Sequence, residues 1–124
     1  MLVTEPPAKA SVSAAKYATD TVPIGPLELN YVIEPAATGQ NLIHLYFFKP
    51  SGPPANVDDA KMSATLPSKN LGPLRIPLTR IVASHYTTSA GVFPEAGDWQ
   101  VTFEIRKGQF QSYTQTVTVP IREG

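Results

Sequence analysis

Two histidines are the residues of this chain whose chemistry stands out. His44 lies in NLIHLY and His85 lies in ASHYTT. Imidazole nitrogens bind copper, zinc and nickel well, so the two side chains are candidate metal ligands. Two ligands leave a metal site incomplete, and no further candidate lies at a tight sequence spacing from either histidine. The residues that could complete such a site are Met62, Met1, Asp58, Asp59 and Glu95.

The alternative is that each histidine is simply a structural residue. It would then be a polar side chain on the outward face of a strand, or a half-buried side chain with its hydrogen bonds satisfied. The sequence leaves both alternatives open, because convergence of the two imidazoles depends on the fold.

Signatures of catalysis are missing from the sequence. It has no G-x-S-x-G nucleophile motif and no G-x-x-x-x-G-K phosphate-binding loop. Without cysteine, it has neither a thiol nucleophile nor a thiolate metal site. We therefore expect that the protein is not an enzyme.

Length and charge narrow the class of protein further. With 124 residues the chain has the size of one domain. Ten basic and ten acidic residues give a formal net charge of zero, which argues against a nucleic-acid partner. Thirteen prolines disfavour long helices. The sequence contains no run of 18 apolar residues, so we predict no membrane span.

Alternation of apolar and polar residues predicts β-strands. In WQVTFEI, the side chains of Trp99, Val101, Phe103 and Ile105 share one face, and we expect Trp99 to lie in the core. Pro77 lies inside one of the predicted strands and indicates an edge strand or a bulge there. The fold class is all-β, an immunoglobulin-like antiparallel β-sandwich of about seven strands formed by residues 27–124. The predicted strands are 27–34, 41–48, 61–66, 72–81, 84–93, 99–105 and 113–121.

Within these strands, further patterns are expected. Strand 41–48 is apolar on both faces, as a central strand covered on both sides would be. In 84–93, we expect Tyr86, Thr88 and Ala90 to lie opposite His85, Thr87 and Ser89. Residues 1–26 are weakly patterned, and we interpret them as an N-terminal edge segment or linker, with a short edge strand in LVTEPPA.

Several motifs resemble the C-terminal extracytoplasmic domain of the copper-resistance protein D (CopD) family. These are LVTEPPA, the strand EPAATGQNLIHLY, the tract GPLRIPLTR, the strand SHY, the turn FPEAGDW and the arginine, Arg106, at the end of the strand that follows this turn. The A-G-x-W turn also resembles that of YtkA-like and FixH-like exported β-sandwich domains. The matching residues are Leu2, Val3, Pro6, Pro7, Ala8, Glu34, Pro35, Gly39, Asn41, Ile43, His44, Leu45, Tyr46, Gly72, Pro73, Leu74, Pro77, Leu78, Arg80, His85, Tyr86, Phe93, Pro94, Ala96, Gly97, Trp99 and Arg106.

This resemblance implies a location, partners and a cofactor. The chain would be a soluble accessory domain on the extracytoplasmic face of the bacterial cell membrane, part of an integral membrane protein of copper transport or resistance. Residues 1–26 would follow a membrane helix, which explains why the N-terminus has no signal-peptide pattern. Its partners would be the membrane helices of the parent protein and an extracytoplasmic copper carrier.

Copper is the cofactor that the resemblance implies, with His44 and His85 as ligands and Met62 as a weaker third. A histidine pair suits Cu(II), whereas a thioether favours Cu(I). The alternative function is a metal-free structural or protein-interaction module with immunoglobulin-like fold. Its contact surface would be an exposed sheet face around Tyr46 and Phe48.

Overall fold

The computed structural model describes residues 11–12 and 17–124, and most of these lie in β-strands. Their one helical element is a short 3-10 turn, Pro67–Lys69. In the described residues no helix has the length and apolar character needed to cross a membrane. The strands are β1 (Ser11–Val12), β2 (Ala18–Ile24), β3 (Leu27–Glu34), β4 (Gly39–Phe48), β5 (Asp59–Leu66), β6 (Leu71–Ile76), β7 (Thr79–Val82), β8 (His85–Phe93), β9 (Gly97–Lys107) and β10 (Gln111–Ile121).

Two antiparallel sheets share one core, which confirms the predicted β-sandwich. One sheet has the order β1-β2-β3-β4-β8-β7 and the other has the order β10-β9-β5-β6. In the immunoglobulin fold, strands A-B-E-D pack on a sheet that contains C, F and G. The strands β3-β4-β8-β7 and β10-β9-β5 occupy these positions, and β6 lies beside the strand equivalent to C. The sandwich is therefore immunoglobulin-like, with ten strands in the described residues instead of about seven.

The inward face of each strand forms the core, as the alternation predicts. In β9, the side chains of Trp99, Val101, Phe103 and Ile105 are all buried. Trp99 packs edge-to-face on Phe93, with 5.4 Å between ring centroids, and its indole nitrogen donates to the Glu95 carbonyl. The prediction that Trp99 belongs to the core is confirmed.

Residues 72–81 form two strands in different sheets, not the single strand predicted. β6 ends at Ile76 and pairs with β5, whereas β7 begins at Thr79 and pairs with β8. Pro77 lies between them, and because it has no N–H it cannot continue a ladder of hydrogen bonds. Each of the two strands lies at the edge of its sheet.

A β-bulge changes the alternation within β8. Asn41 pairs with Gly91, but Ile43 pairs with Thr88, so β8 contains one extra residue between these pairs. Tyr86 and Thr88 face the core, opposite His85 and Thr87, but Ala90 does not share their face and is exposed. Beyond the bulge, Gly91 and Phe93 are the buried residues.

Strand β4 is central in its sheet but is covered on one side only by the described residues. Its buried side chains are Asn41, Ile43, Leu45 and Phe47. Leu42, His44, Tyr46 and Phe48 face outward and remain partly accessible. The expectation that both faces are covered is therefore wrong for this strand, and its outward face is available for a site.

The N-terminal segment contributes to the six-stranded sheet. β2 pairs with β3 along its whole length, and the turn between them contains Gly25. Gly25 has a φ of +57°, and a Cβ there would collide with the ring of Tyr113. The predicted edge strand LVTEPPA lies outside the described residues, as do Leu2, Val3, Pro6, Pro7 and Ala8.

The loop between β3 and β4, which belong to one sheet, is linked by hydrogen bonds to the other sheet at one end of the sandwich. Its backbone bonds to the segment that follows β10, since Thr38 N–H donates to Arg122 O at 2.7 Å and Arg122 N–H donates to Ala36 O at 3.1 Å. The buried side chain of Asn41 holds the loop from inside. Its Oδ1 accepts from Ala36 N–H at 2.8 Å, and its Nδ2 donates to the carbonyl oxygens of Ala37 and Gly39.

Tyr31 carries a buried polar atom that makes no hydrogen bond to any described residue. Its ring lies in the core beside Phe103, and its hydroxyl oxygen is buried. Burial raises the pKa of this hydroxyl, and the nearby Asp20 raises it further. The hydroxyl therefore stays neutral and unsatisfied, which costs free energy.

We expect Tyr31→Phe to increase the free energy of unfolding by about 1 kcal/mol, because it removes an unsatisfied polar atom and keeps the ring. Urea denaturation followed by circular dichroism measures this change. A decrease of similar size would show that the hydroxyl has a hydrogen-bond partner outside the described residues.

Candidate metal site on the six-stranded sheet

The two histidines meet on the outward face of the six-stranded sheet. β4 and β8 are neighbours in which His44 pairs with Thr87 and Tyr46 pairs with His85. This register makes the two histidines diagonal neighbours on the same face. His44 Nδ1 and His85 Nε2 lie 3.2 Å apart, although the residues are 41 positions apart in the sequence.

The contacts of Thr87 indicate which ring nitrogen of His44 carries the proton. Its hydroxyl donates to the Ile43 carbonyl at 2.8 Å, and its oxygen lies 3.3 Å from His44 Nδ1. With the hydroxyl proton directed at Ile43, the oxygen is left to accept, and we assign the Nδ1–H tautomer to His44. The same N–H also faces His85 Nε2, which then carries a lone pair.

Tyr46 stacks against the pair and limits its rotation. Its ring lies 4.4 Å from that of His85 with an interplanar angle of 18°. The rings of Tyr46 and His44 are also nearly parallel, with centroids 5.9 Å apart. Contacts with Tyr46 and Thr87 therefore orient both imidazoles while leaving them partly accessible.

His85 is biased towards its neutral form. Partial burial lowers the pKa of its imidazole, and the adjacent His44 lowers it further, because two protonated rings would repel each other. A neutral imidazole is the form that binds a metal ion. The local environment thus favours the state that metal binding requires.

The lowered pKa of His85 predicts that the metal-free domain loses stability on acidification. In the unfolded chain, histidine titrates near a pKa of about 6.5. Between that value and the lower folded value, the unfolded state binds more protons, so the free energy of unfolding decreases as pH falls. The effect is small, because the side chain is only partly buried.

Thermal melting between neutral and mildly acidic pH tests this dependence. Both His85→Gln and His44→Gln should weaken it, the first by removing the titrating group and the second by removing the adjacent imidazole. The same pH dependence in wild type and in both variants would contradict the assignment.

The structure does not bring Met62 to the histidines. Met62 lies on β5 in the opposite sheet, with its side chain buried in the core, where it faces away from the outward side of β4 and β8. The alternation of KMSATL already places Met62 inward. Met1 lies outside the described residues.

The candidate carboxylates also lie elsewhere. Asp58 accepts a hydrogen bond from the backbone N–H of Gly108, and Glu95 pairs with Lys69. Asp59 is on β5 of the four-stranded sheet. Within residues 11–12 and 17–124, no group of three or more His, Cys, Asp or Glu side chains is placed to hold a metal ion.

Sequence reasoning did not identify Tyr46 and Thr87 as partners of the pair. Each lies two positions from a histidine in the same strand, Tyr46 after His44 and Thr87 after His85. Residues two apart in a strand share a face, so this spacing is the signal that could have found them. The bulge follows Thr88 and leaves this spacing intact.

Most residues on the β7 and β8 side of the pair are uncharged, and Arg80 of β7 is the register partner of Tyr86, whose side chain faces the core. Val82 is the register partner of His85 and is 55% exposed. A shallow groove runs beside the pair, and none of its lining residues is charged. It is lined by Leu42, Pro77, Thr79, Thr87, Thr88, Ser89 and Ala90.

The spacing of the two nitrogens suits a shared metal ion. For metal–nitrogen distances of about 2.0–2.1 Å, a nitrogen separation of 3.2 Å corresponds to an angle of about 100° at the metal. This angle lies near the tetrahedral value and within a small adjustment of a square-planar one. The two imidazoles could therefore occupy adjacent coordination positions and leave the others open.

Comparison of the chain with protein-family models, with curated proteins and with solved structures gives no match. The geometry of the histidine pair is thus the main guide to function.

Proposed function

We propose that the domain binds Cu(II) through His44 and His85. The observation that carries this proposal is the 3.2 Å separation of His44 Nδ1 and His85 Nε2 on an accessible sheet face. Metal binding through His44 Nδ1 requires that its proton move to Nε2, after which the two oriented imidazoles form a donor set that suits copper, which heads the affinity order of divalent first-row metals. The proposed role is to bind Cu(II), and this role involves no catalysed reaction.

The donor set favours Cu(II) over Cu(I). A soft thioether ligand would favour Cu(I), but Met62 is buried in the core on the other sheet. The pair offers nitrogen donors, and the side-chain oxygen of Thr87 lies 3.3 Å from His44 Nδ1. Nitrogen and oxygen donors are those of tetragonal Cu(II) sites.

Open coordination positions suit transfer of copper between proteins. A metal ion held by two ligands of one domain can be taken over by donors of another without leaving the protein surface. This property supports the place that the family resemblance implies: an accessory domain of a bacterial copper transport or resistance protein, on the extracytoplasmic face of the membrane. Its partners there would be the membrane helices of the parent protein and a copper carrier.

Copper titration of the domain tests the proposal. Calorimetry with Cu(II) should show saturable binding with a dissociation constant in the micromolar range or below. His44→Ala and His85→Ala should each weaken binding at least tenfold, and the double variant should abolish it. Electron paramagnetic resonance should show nitrogen ligation in wild type.

Met62→Leu is the matched control, because it keeps the core volume and removes the thioether. We expect unchanged Cu(II) affinity in this variant. A loss of affinity there would contradict the placement of the site on the six-stranded sheet. Copper binding that survives the double histidine variant, or no binding in wild type, would overturn the proposal.

The second candidate function is a metal-free interaction module, and the exposed apolar side chains of the six-stranded sheet favour it. Val82 and Val92 are each about half exposed, and Leu42 is 39% exposed on the same sheet. A domain that binds no copper and still associates with a partner through this face would support this alternative.

A further inference from the structure

The histidine pair fills only part of a coordination shell. This inference rests on the proposed copper-binding function, and it concerns what supplies the missing ligands. With an angle of about 100° at the metal, two positions of a tetrahedral or square-planar shell remain. Among the described residues, no third His, Cys, Asp or Glu joins the pair.

The shape of the site makes ligands from a second molecule accessible. The pair lies on an outward sheet face, flanked by a shallow groove, and is not enclosed by loops. A metal ion on this face would project its open positions away from the sheet. Donors that complete the shell would then approach from a facing surface.

A second copy of the chain, related to the first by a two-fold axis, offers such a surface. In the sheet order β3-β4-β8-β7, an axis parallel to the strands and between β4 and β8 places β4 of each copy over β8 of the other. His44 of each copy then lies over Thr87 of the other copy, two residues along β8 from His85, and the two histidine pairs face the axis at the same level. Four imidazoles surround one position, which lies on the axis.

The charge distribution on this face is compatible with that arrangement. In a two-fold interface each surface must match itself, and like charges that face each other would repel. The charged residues in register near His44 are Glu28 and Glu34, both on β3. The axis described above places β3 over β7 of the second copy, so these carboxylates do not face their own copies.

We propose that a divalent metal ion joins two copies of this chain through His44 and His85 of each copy. The ion is a borderline cation of the Cu(II) or Zn(II) type, which imidazole binds. The outward face of β4 and β8 is the interface, and the exposed Val82 and Leu42 add apolar contact around the metal.

Sedimentation equilibrium tests the proposal with Cu(II) and, as a redox-inactive probe, with Zn(II). We expect a monomer after treatment with chelator and a dimer when half an equivalent of metal per chain is added. Calorimetry should give an inflection at half a metal ion per chain. His44→Ala should remove the metal-dependent dimer.

A bulky side chain on the facing surface separates dimer formation from metal binding. Thr79 is exposed on β7 and is the register partner of Thr87, so Thr79→Trp adds volume beside the pair without adding a charge or removing a ligand. It should prevent the dimer while the chain still binds metal. Phe110→Trp is the matched control, because Phe110 is 93% exposed in the turn between β9 and β10, away from this sheet.

The outcomes distinguish this inference from the proposed function. Binding of one metal ion per chain without a dimer would overturn the metal bridge and leave copper binding intact, with the remaining ligands supplied by solvent or by residues outside the described ranges. A metal-dependent dimer that survives His44→Ala would also overturn the bridge. No metal binding at all would overturn both proposals.

Discussion

Replacement of Trp99 by alanine is expected to lower the free energy of unfolding by about 3–5 kcal/mol. The indole is completely buried and packs against Phe93 from the opposite sheet. Its removal leaves a cavity between the sheets and leaves the Glu95 carbonyl without its indole donor. Because domains of this size have a stability of about 5–15 kcal/mol, the loss is a large part of the total.

Chemical denaturation followed by far-ultraviolet circular dichroism measures this change, since the variant lacks the only tryptophan of the chain. Trp99→Phe serves as the control. It loses the hydrogen bond but fills part of the cavity, so it should be less destabilising than alanine. A midpoint for Trp99→Ala within about 1 kcal/mol of wild type would show that the indole is not part of the core.

Replacement of Asn41 by alanine is the second large effect, with an expected loss of about 2–4 kcal/mol. The side chain is 1% exposed and forms hydrogen bonds to Ala36 and Ala37 of the loop before β4 and to Gly39, the first residue of β4. Alanine would leave Ala36 N–H and the Ala37 carbonyl without these partners. The loop would also hold the segment after β10 less firmly, since Ala36 and Thr38 bond to Arg122.

Asn41→Asp tests the acceptor contact of Oδ1 and the donor contacts of Nδ2 separately. One carboxylate oxygen can still accept from Ala36 N–H, but the other replaces the Nδ2 donor and faces the carbonyl oxygens of Ala37 and Gly39. Protonation supplies a donor again, so the aspartate variant should regain stability as the pH falls towards about 4. Thermal melting as a function of pH measures this, and equal stability of the aspartate variant and wild type at neutral pH would contradict the assigned contacts.

Alternation of side chains was enough to predict the strands that face the core. From Trp99 to Ile105 in β9 and from Val117 to Ile121 in β10 every second residue is buried, and the order of apolar and polar residues shows this directly. β3 is equally regular. β2 was missed as a strand because only Ala18, Val22 and Ile24 mark its inward face, and the other residues are polar or proline.

Two features depend on interactions that alternation does not encode. Residues 72–81 alternate as one strand, but Pro77 interrupts the hydrogen-bond ladder and the chain passes to the other sheet. In β8 the bulge shifts the inward phase by one residue, so Ala90 is exposed where a regular strand would bury it. Both changes follow from pairing between distant segments.

The candidate site could likewise be predicted only in part from the sequence. The sequence identified His44 and His85 as candidate ligands, but their convergence required the pairing of β4 with β8 in one particular register. Met62 could be predicted to face inward, and the structure places it in the core. The contacts of Tyr46 and Thr87 with the histidines also depend on that register.

The bulge in β8 has a consequence at the level of the gene. Loss of the single codon for Ser89 or Ala90 would make β8 as long as the β4 segment it pairs with, and Tyr86 and Phe93 would then lie an even number of residues apart, so that one regular strand buries both. His85 would stay on the outward face beside His44. A three-nucleotide deletion at this point would therefore leave the core and the histidine pair in place, because the bulge absorbs one residue that neither of them needs.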